Sequence, residues 1–119
     1  MKTSKIINLL KRSIRKSFSR SSEKSIGLQK LEYIERNNKK VFLIDVRSTQ
    51  EYEEGHLRGA ISIPSYEIED KIEKVISDKN SIVILYCQTG RRSKKSVDIL
   101  EKMGYTNVYN LEGGITENS

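Results

Sequence analysis

Residues 82–93 read IVILYCQTGRRS, and the fold prediction starts from this stretch. Its first part, Ile82–Tyr86, is a short, continuous apolar run rich in β-branched residues, which is typical of a strand buried on both faces of a parallel sheet. A helical pattern follows from Ser93, and Gly104 stands where a helix would end. We therefore expect Cys87, the only cysteine, to lie in a loop between the carboxyl end of a strand and a helix N-terminus.

The pattern continues in both directions along the chain. It predicts strands at 41–44, 60–63 and 107–111, helices over 26–38 and 66–77, a helical turn around 50–53, and a break at the Gly-Gly pair 113–114. Because strands alternate with helices, the sequence predicts an α/β fold with a parallel sheet covered on both faces. Ligands bind at the carboxyl ends of such strands, so Asp45 and Arg47, which follow the second strand, are expected near the same edge as Cys87.

Length and composition bound the possibilities. The 119 residues suffice for one compact domain and are too few for two ordinary ones. With 35% hydrophobic and 32% charged residues the chain contains no apolar run near the roughly 20 residues that cross a bilayer. A single cysteine excludes an intrachain disulfide, so we expect a reducing, cytoplasmic location. We also expect a monomer.

The net charge of +6 is concentrated at the N-terminus. Residues 1–22 carry seven basic side chains and no acidic one, whereas the remainder sums to about −1. The basic segment interleaves no aromatic side chains apart from Phe18, so nucleic-acid binding is not expected. Residues 1–25 are interpreted as a basic tail or amphipathic helix. The alternatives are a solvated tail, a helix packed on the domain, a transit peptide, or weak membrane-surface contact through residues 1–20.

The neighbours of Cys87 indicate chemistry rather than packing alone. A lone cysteine is often a small hydrophobe, but cations and a helix N-terminus stabilise a thiolate and make the sulfur a nucleophile. Arg91 and Arg92 supply positive charge, and Gly90 allows the loop to curl with its amides inward. The unpaired N–H groups of the helix near Ser93 face the same loop. The stretch therefore predicts a pocket for a small anion.

These residues resemble the rhodanese family of sulfurtransferases. CQTGRRS, residues 87–93, is similar to that family's signature of Cys, two residues, Gly, one residue, Arg and Ser. Three further motifs occur in the family's order, namely DVR at 45–47, EYEEGHLRGAISIP at 51–64 and NVYNLEGGI at 107–115. The resemblance covers about residues 26–115. It assigns 26–119 to a rhodanese-like three-layer α/β/α domain with a mainly parallel sheet of about five strands.

The resemblance also implies an activity without a cofactor. Cys87 would take sulfane sulfur from thiosulfate or a similar anionic donor as a persulfide, release sulfite, and pass the sulfur to cyanide or a thiol, which a partner protein could carry. The loop amides would hold the persulfide, and Arg92 would attract the donor. The implied substrate-binding residues are Gln88, Thr89, Gly90, Arg91, Arg92 and Ser93.

Two other functions remain open. One is a rhodanese-like regulatory or sulfur-carrier binding module with little turnover. The other is a cysteine-dependent phosphatase or arsenate reductase, whose larger loop has five residues between cysteine and arginine. From Cys87 that spacing requires an arginine at position 93, where the chain has Ser93. The four residues between Cys87 and Arg92 favour sulfur transfer.

The remaining charged residues are given supporting roles. Arg47 could line the entrance, but an ion pair with Glu51 or Glu53 is the favoured interpretation, and Asp45 is expected to accept hydrogen bonds in its loop. Arg58 is expected at the anion-attracting rim.

His56, the only histidine, carries no pattern that places it beside Cys87, and one histidine with one cysteine does not make a metal site. Compared with the family, the chain is C-terminally short, because the helix that usually follows the closing Gly-Gly, with its tryptophan, is not predicted.

Overall fold

A computed structural model describes residues 24–38 and 40–118. Its helices are α1 (Leu28–Asn37), α2 (Thr49–Glu54), α3 (Ile68–Val75), α4 (Arg91–Lys102) and α5 (Gly114–Asn118), with a 3-10 turn at Ser65–Glu67. No helix among the described residues is long and apolar enough to cross a membrane. The interpretations of the basic segment before residue 24 lie outside the described residues.

The strands are β1 (Ser25–Ile26), β2 (Val41–Asp45), β3 (Ile61–Ser62), β4 (Ile82–Tyr86) and β5 (Asn107–Leu111). They form one five-stranded sheet in the order β1-β5-β4-β2-β3, and every pairing is parallel. This confirms the predicted α/β fold. The register places Asp45 of β2 beside Tyr86 of β4, so both side chains lie at the edge where Cys87 follows.

The core has one half on each face of the sheet. Because side chains alternate along a strand, Val83 and Leu85 of β4 pack against α3 and α4, while Ile84 and Tyr86 face α1. The first half also contains Ile68, Ile72, Ile76, Val97 and Leu100, and the second contains Leu31 and Ile34. Continuous apolar sequence in β4 is therefore explained by burial on both faces.

Several predicted elements need correction. The short edge strand β1 was not predicted, because two residues carry no periodicity. The predicted strand 60–63 is only Ile61–Ser62, and the predicted helix 66–77 is the 3-10 turn followed by the shorter α3. The Gly-Gly pair was predicted to end regular secondary structure, with no helix after it, yet Gly114 begins α5.

Candidate functional site

Cys87 lies at the carboxyl edge of the sheet, directly after the central strand β4. It continues the alternation of Val83 and Leu85, so its side chain turns towards α4 and only 1% of the residue is exposed. Residues 87–90, which we call the cysteine loop, connect β4 to α4. The N-terminus of α4 therefore begins beside the sulfur, as the sequence predicts.

Hydrogen-bond donors surround Cys87 Sγ. The Gly90 N–H donates to it across 3.1 Å, and the Ser93 N–H and Ser93 Oγ each lie 3.4 Å away. Ser93 is fully buried, and its single hydroxyl proton also has the carbonyl of Gly90 and Asn110 Oδ1 as acceptors. The hydroxyl proton is thus shared among three acceptors, whereas the N–H groups of Gly90 and Ser93 donate towards the sulfur.

The pKa of the Cys87 thiol reflects two opposing influences. Burial alone would raise it, but hydrogen bonds from the Ser93 hydroxyl and from the amides of Ser93, Gly90 and Thr89 outweigh burial and lower it below the ordinary value. A lowered thiol pKa increases the thiolate fraction near neutral pH. The loop is thus arranged to hold a negative charge on sulfur.

Helix α5 supports the cysteine loop from the outside. The N–H groups of Ile115 and Thr116 donate to the carbonyls of Cys87 (2.9 Å) and Gln88 (3.1 Å), and Gln88 Nε2 donates to Thr116 Oγ1. Gly114 has φ +55° and packs so closely that a Cβ there would overlap the Cys87 and Gln88 carbonyls. The carbonyls of Cys87 and Gln88 are therefore turned towards α5, on the outside of the loop.

A buried cluster fixes the edge of the sheet next to the loop. Asp45, fully buried at the end of β2, accepts from the backbone N–H, Nε and Nη2 of Arg47 and from the Tyr86 hydroxyl at 2.7–3.2 Å. Arg47 also donates to the Gly55 carbonyl (2.6 Å) and to Gln88 Oε1 (3.4 Å). The predicted ion pair of Arg47 with Glu51 or Glu53 is wrong. Asp45, only two residues before Arg47, is fully buried and pairs with the guanidinium instead.

Arg92 forms the ion pair that crosses the site. Its Nη1 and Nη2 donate to Glu51 Oε1 and Oε2, each across 3.1 Å. Glu51 Oε1 also accepts from the Ser48 N–H, and the Glu51 N–H donates to Ser48 Oγ, which completes a capping box at the start of α2. The pair with Arg92 and these bonds lower the pKa of Glu51 to about 2.

Two surface pockets flank this ion pair. The first, about 400 Å³, is lined by Arg47, Glu51, Glu54, Gly55, Gln88, Ile115 and Thr116, and we call it the mixed pocket. The second, about 430 Å³, is lined by Arg91, Arg92, Lys94 and Lys95, and we call it the cationic pocket. The sequence predicts one anion pocket around Cys87, but Gln88 lines the mixed pocket and Arg91 and Arg92 line the cationic pocket. The remaining residues of the stretch line neither pocket, namely Cys87, Thr89, Gly90 and Ser93.

Two residues that were singled out lie elsewhere. Arg58 is exposed and is not part of the lining of either pocket. The His56 ring stacks on Tyr52 with 3.8 Å between ring centroids, and its Nδ1 lies 2.9 Å from the Tyr52 carbonyl oxygen.

Sequence reasoning missed the roles of several residues at the site. Tyr86 was counted only as an apolar strand residue, and Gly114 only as a breaker. Asn110 was assigned to a strand without a role, although a polar residue in an apolar strand is a signal of a buried hydrogen bond. The spacing of Ser48 and Glu51 is the sequence signature of a capping box, which would have located Glu51 at a helix start.

Comparison with known proteins gives consistent matches. The family model described as Rhodanese-like domain matches residues 29–118. Thiosulfate sulfurtransferase PspE of Escherichia coli is 44% identical over 70 residues, which cover 59% of this chain and 67% of PspE. The tRNA uridine(34) hydroxylase of Buchnera aphidicola is 39% identical over 83 residues, which cover 66% of this chain but only 26% of the hydroxylase.

Among solved structures, SSP1007 from Staphylococcus saprophyticus is similar with a TM-score of 0.70 and 32% identity. The match covers 81% of this chain and 93% of SSP1007. The shared part is therefore nearly a whole protein in one relative and about a quarter of another.

Proposed function

This chain belongs to the rhodanese-like domain family, and on that premise we propose that it is a sulfurtransferase that carries sulfane sulfur as a persulfide on Cys87. The donor is thiosulfate or a similar anion, in keeping with the activity for which PspE is named. The acceptor is cyanide or a thiol, which a protein partner could present. A reduced cysteine is required, which supports a cytoplasmic location.

The proposed reaction has two steps. The Cys87 thiolate attacks the outer sulfur of thiosulfate, a new S–S bond forms, and the S–S bond of thiosulfate breaks as sulfite leaves with the electron pair. The acceptor then attacks the outer sulfur of the persulfide, and the thiolate of Cys87 leaves. Cyanide becomes thiocyanate by this route, and no external oxidant or reductant is needed.

The observation that carries this proposal is the set of donors around Cys87 Sγ. The amides of Gly90 and Ser93 and the Ser93 hydroxyl converge on one sulfur within 3.1–3.4 Å. Such donors stabilise a thiolate as attacking group and again as leaving group. Arg91 and Arg92 line the cationic pocket beside the loop, which suits the approach of an anionic donor.

The size of the loop argues against phosphate as substrate. At position 93, where the phosphatase spacing requires an arginine, the buried Ser93 donates towards the sulfur and fills the base of the loop. The chain therefore has a buried serine, and no arginine, at the position that a phosphatase loop requires.

A binding or sulfur-carrier module with little turnover is the second candidate. It is favoured by the burial of Cys87, since only 1% of the residue is exposed to an incoming donor. Steady-state release of sulfite in the presence of thiosulfate and an acceptor separates the two, because a carrier module releases at most one sulfite per chain.

Intact mass measurement tests the proposal directly. Incubation with thiosulfate is expected to add the mass of one sulfur atom, and later addition of cyanide is expected to remove it. Cys87→Ser is the control and should gain no mass. A wild-type protein that gains no sulfur, or a gain that persists in Cys87→Ser, contradicts the proposal.

A further inference from the structure

The Glu51 carboxylate is paired with Arg92, the cation that an anionic donor is expected to contact. Both of its oxygens lie 3.1 Å from the two terminal nitrogens of Arg92, which is the geometry that a guanidinium also offers to an incoming oxyanion. Arg92 cannot make this paired contact with Glu51 and with a second anion at the same time. The two partners therefore compete for one guanidinium.

Glu51 is held in position by its own helix. Its backbone and side chain both bond to Ser48 in the capping box of α2, so the carboxylate does not depend on Arg92 for its place. Its pKa of about 2 keeps it charged at any pH near neutrality. The Glu51 carboxylate is therefore held beside Arg92, where it competes with an incoming anion.

The surroundings of Arg92 are asymmetric. On the side of α2 it meets Glu51, while on the other side it shares the cationic pocket with Arg91, Lys94 and Lys95. Among residues 24–38 and 40–118, no acidic group forms an ion pair with those three cations. An anion in the cationic pocket would thus find four positive charges, of which only Arg92 is already neutralised.

We propose that Glu51 weakens the binding of anionic donors by competing with them for the Nη1–Nη2 edge of Arg92, so that its carboxylate leaves this edge when a donor in the cationic pocket takes it. The identity of the donor rests on the proposed sulfurtransferase function, but the competition does not. An uncharged ligand gains nothing from Arg92 and is not affected. Glu51 thereby lowers the affinity of the site for small anions in general.

The size of the effect follows from the exposure of the pair. The side chains of Arg92 and Glu51 are 45% and 33% exposed, and partly exposed ion pairs favour the paired form by a factor of about 1.5 to 5. The apparent dissociation constant of the ligand equals its intrinsic dissociation constant divided by the fraction of molecules in which Arg92 is unpaired. Removing the competitor should therefore strengthen anion binding by about two- to sixfold.

Calorimetric titration of thiosulfate into the Cys87→Ser protein measures this binding without sulfur transfer. In that background, Glu51→Gln retains an oxygen that can accept from the Ser48 N–H but no longer holds Arg92 by charge. Glu54→Gln is the matched control, because Glu54 lines the same mixed pocket and accepts from Gln50 rather than from Arg92. Arg92→Gln and the Arg92→Gln/Glu51→Gln pair complete the cycle.

We expect Glu51→Gln to lower the dissociation constant of thiosulfate about two- to sixfold, and Glu54→Gln to lower it by a clearly smaller factor. In the Arg92→Gln background, Glu51→Gln should have no more effect than Glu54→Gln. Equal effects of the two glutamine substitutions, an unchanged effect without Arg92, or no measurable binding in any variant would each overturn the proposal. Failure of sulfur loading in the mass experiment would leave this result standing, so the two hypotheses fail separately.

Discussion

At the scale of single residues, the chemistry of Cys87 depends on which atoms point at its sulfur. Burial of a thiolate is unfavourable by itself, and the donors of the cysteine loop and of Ser93 reverse that penalty. Ser93 contributes twice, through its backbone N–H and its hydroxyl. The only cysteine was identified from sequence, but the identity of its donors depends on the curl of the loop.

Ser93→Ala should raise the pKa of the Cys87 thiol, because it removes one donor while burial is unchanged. We expect the pH midpoint of wild-type alkylation by iodoacetamide to lie below the ordinary value for a cysteine thiol. The midpoint of Ser93→Ala should lie at higher pH, with slower alkylation at pH 7. Ser96→Ala, which removes a buried hydroxyl of the same helix that has no partner among the described residues, is the control. A common midpoint for all three proteins would contradict the role of Ser93.

Asp45 is expected to be the most sensitive carboxylate for stability. The Arg47 and Asp45 side chains are only 5% and 0% exposed, so Asp45→Asn leaves a buried guanidinium without its counter-charge. Such a loss costs about 3–5 kcal/mol. Urea denaturation measures it, and the exposed Asp98→Asn of α4 should change the free energy of unfolding by no more than about 0.5 kcal/mol. If Asp45→Asn behaved like Asp98→Asn, the cluster would not be a structural determinant.

At the scale of elements, α4 and α5 enclose the cysteine loop from two sides. Helix α4 presents its first amides to the sulfur, and α5 takes up the carbonyls of Cys87 and Gln88. The five residues of α5 bury little surface, and their contribution is the close backbone contact at Gly114. A pattern of apolar residues does not predict α5, because its main contact is made by the backbone at Gly114.

Gly114→Ala tests the contact between α5 and the cysteine loop. The added Cβ would overlap two loop carbonyls, so α5 must move away and the loop loses its support. Gly104→Ala is the control for positive φ without a close contact, since Gly104 also has positive φ (+101°) but no atom within 4 Å of the position that a Cβ would take. A non-glycine residue in this region costs about 1–2 kcal/mol at either position.

The larger effect is expected at Gly114. The melting temperature of Gly114→Ala should fall further than that of Gly104→Ala, and the sulfur gained from thiosulfate should decrease. Thermal unfolding measures the melting temperatures, and intact mass measures the sulfur gained. Equal melting temperatures with full sulfur loading would show that α5 does not support the loop.

At the scale of the whole molecule, the sheet has a stable centre and weak edges. The strands β2, β4 and β5 each have five residues, and β4 has hydrogen-bonded neighbours on both sides. The outer strands β1 and β3 have two residues each. The cysteine loop follows the strand that is held most firmly, which positions the sulfur against a rigid base.

Amide hydrogen exchange should reproduce this order. We expect the slowest exchange at residues 83–85, because these amides open only when the central sheet unfolds, and the fastest strand exchange in β1 and β3. Measurement by mass spectrometry of peptides or by NMR resolves the difference. Equal protection of edge and central strands would contradict the expected hierarchy.

The fold class, the central strand and helix, and the place of Cys87 between them could be predicted from sequence, because they follow from local periodicity and from strand–helix alternation. The last strand, Asn107–Leu111, is confirmed to the residue. The pairing of Arg47 with Asp45, the pairing of Glu51 with Arg92, and the contacts of Asn110 and α5 at the cysteine loop became visible in the three-dimensional structure. Some of these contacts join residues that are up to 41 positions apart, and in others a charged residue has several possible partners nearby. In both cases burial and geometry, rather than spacing along the chain, determine the partner.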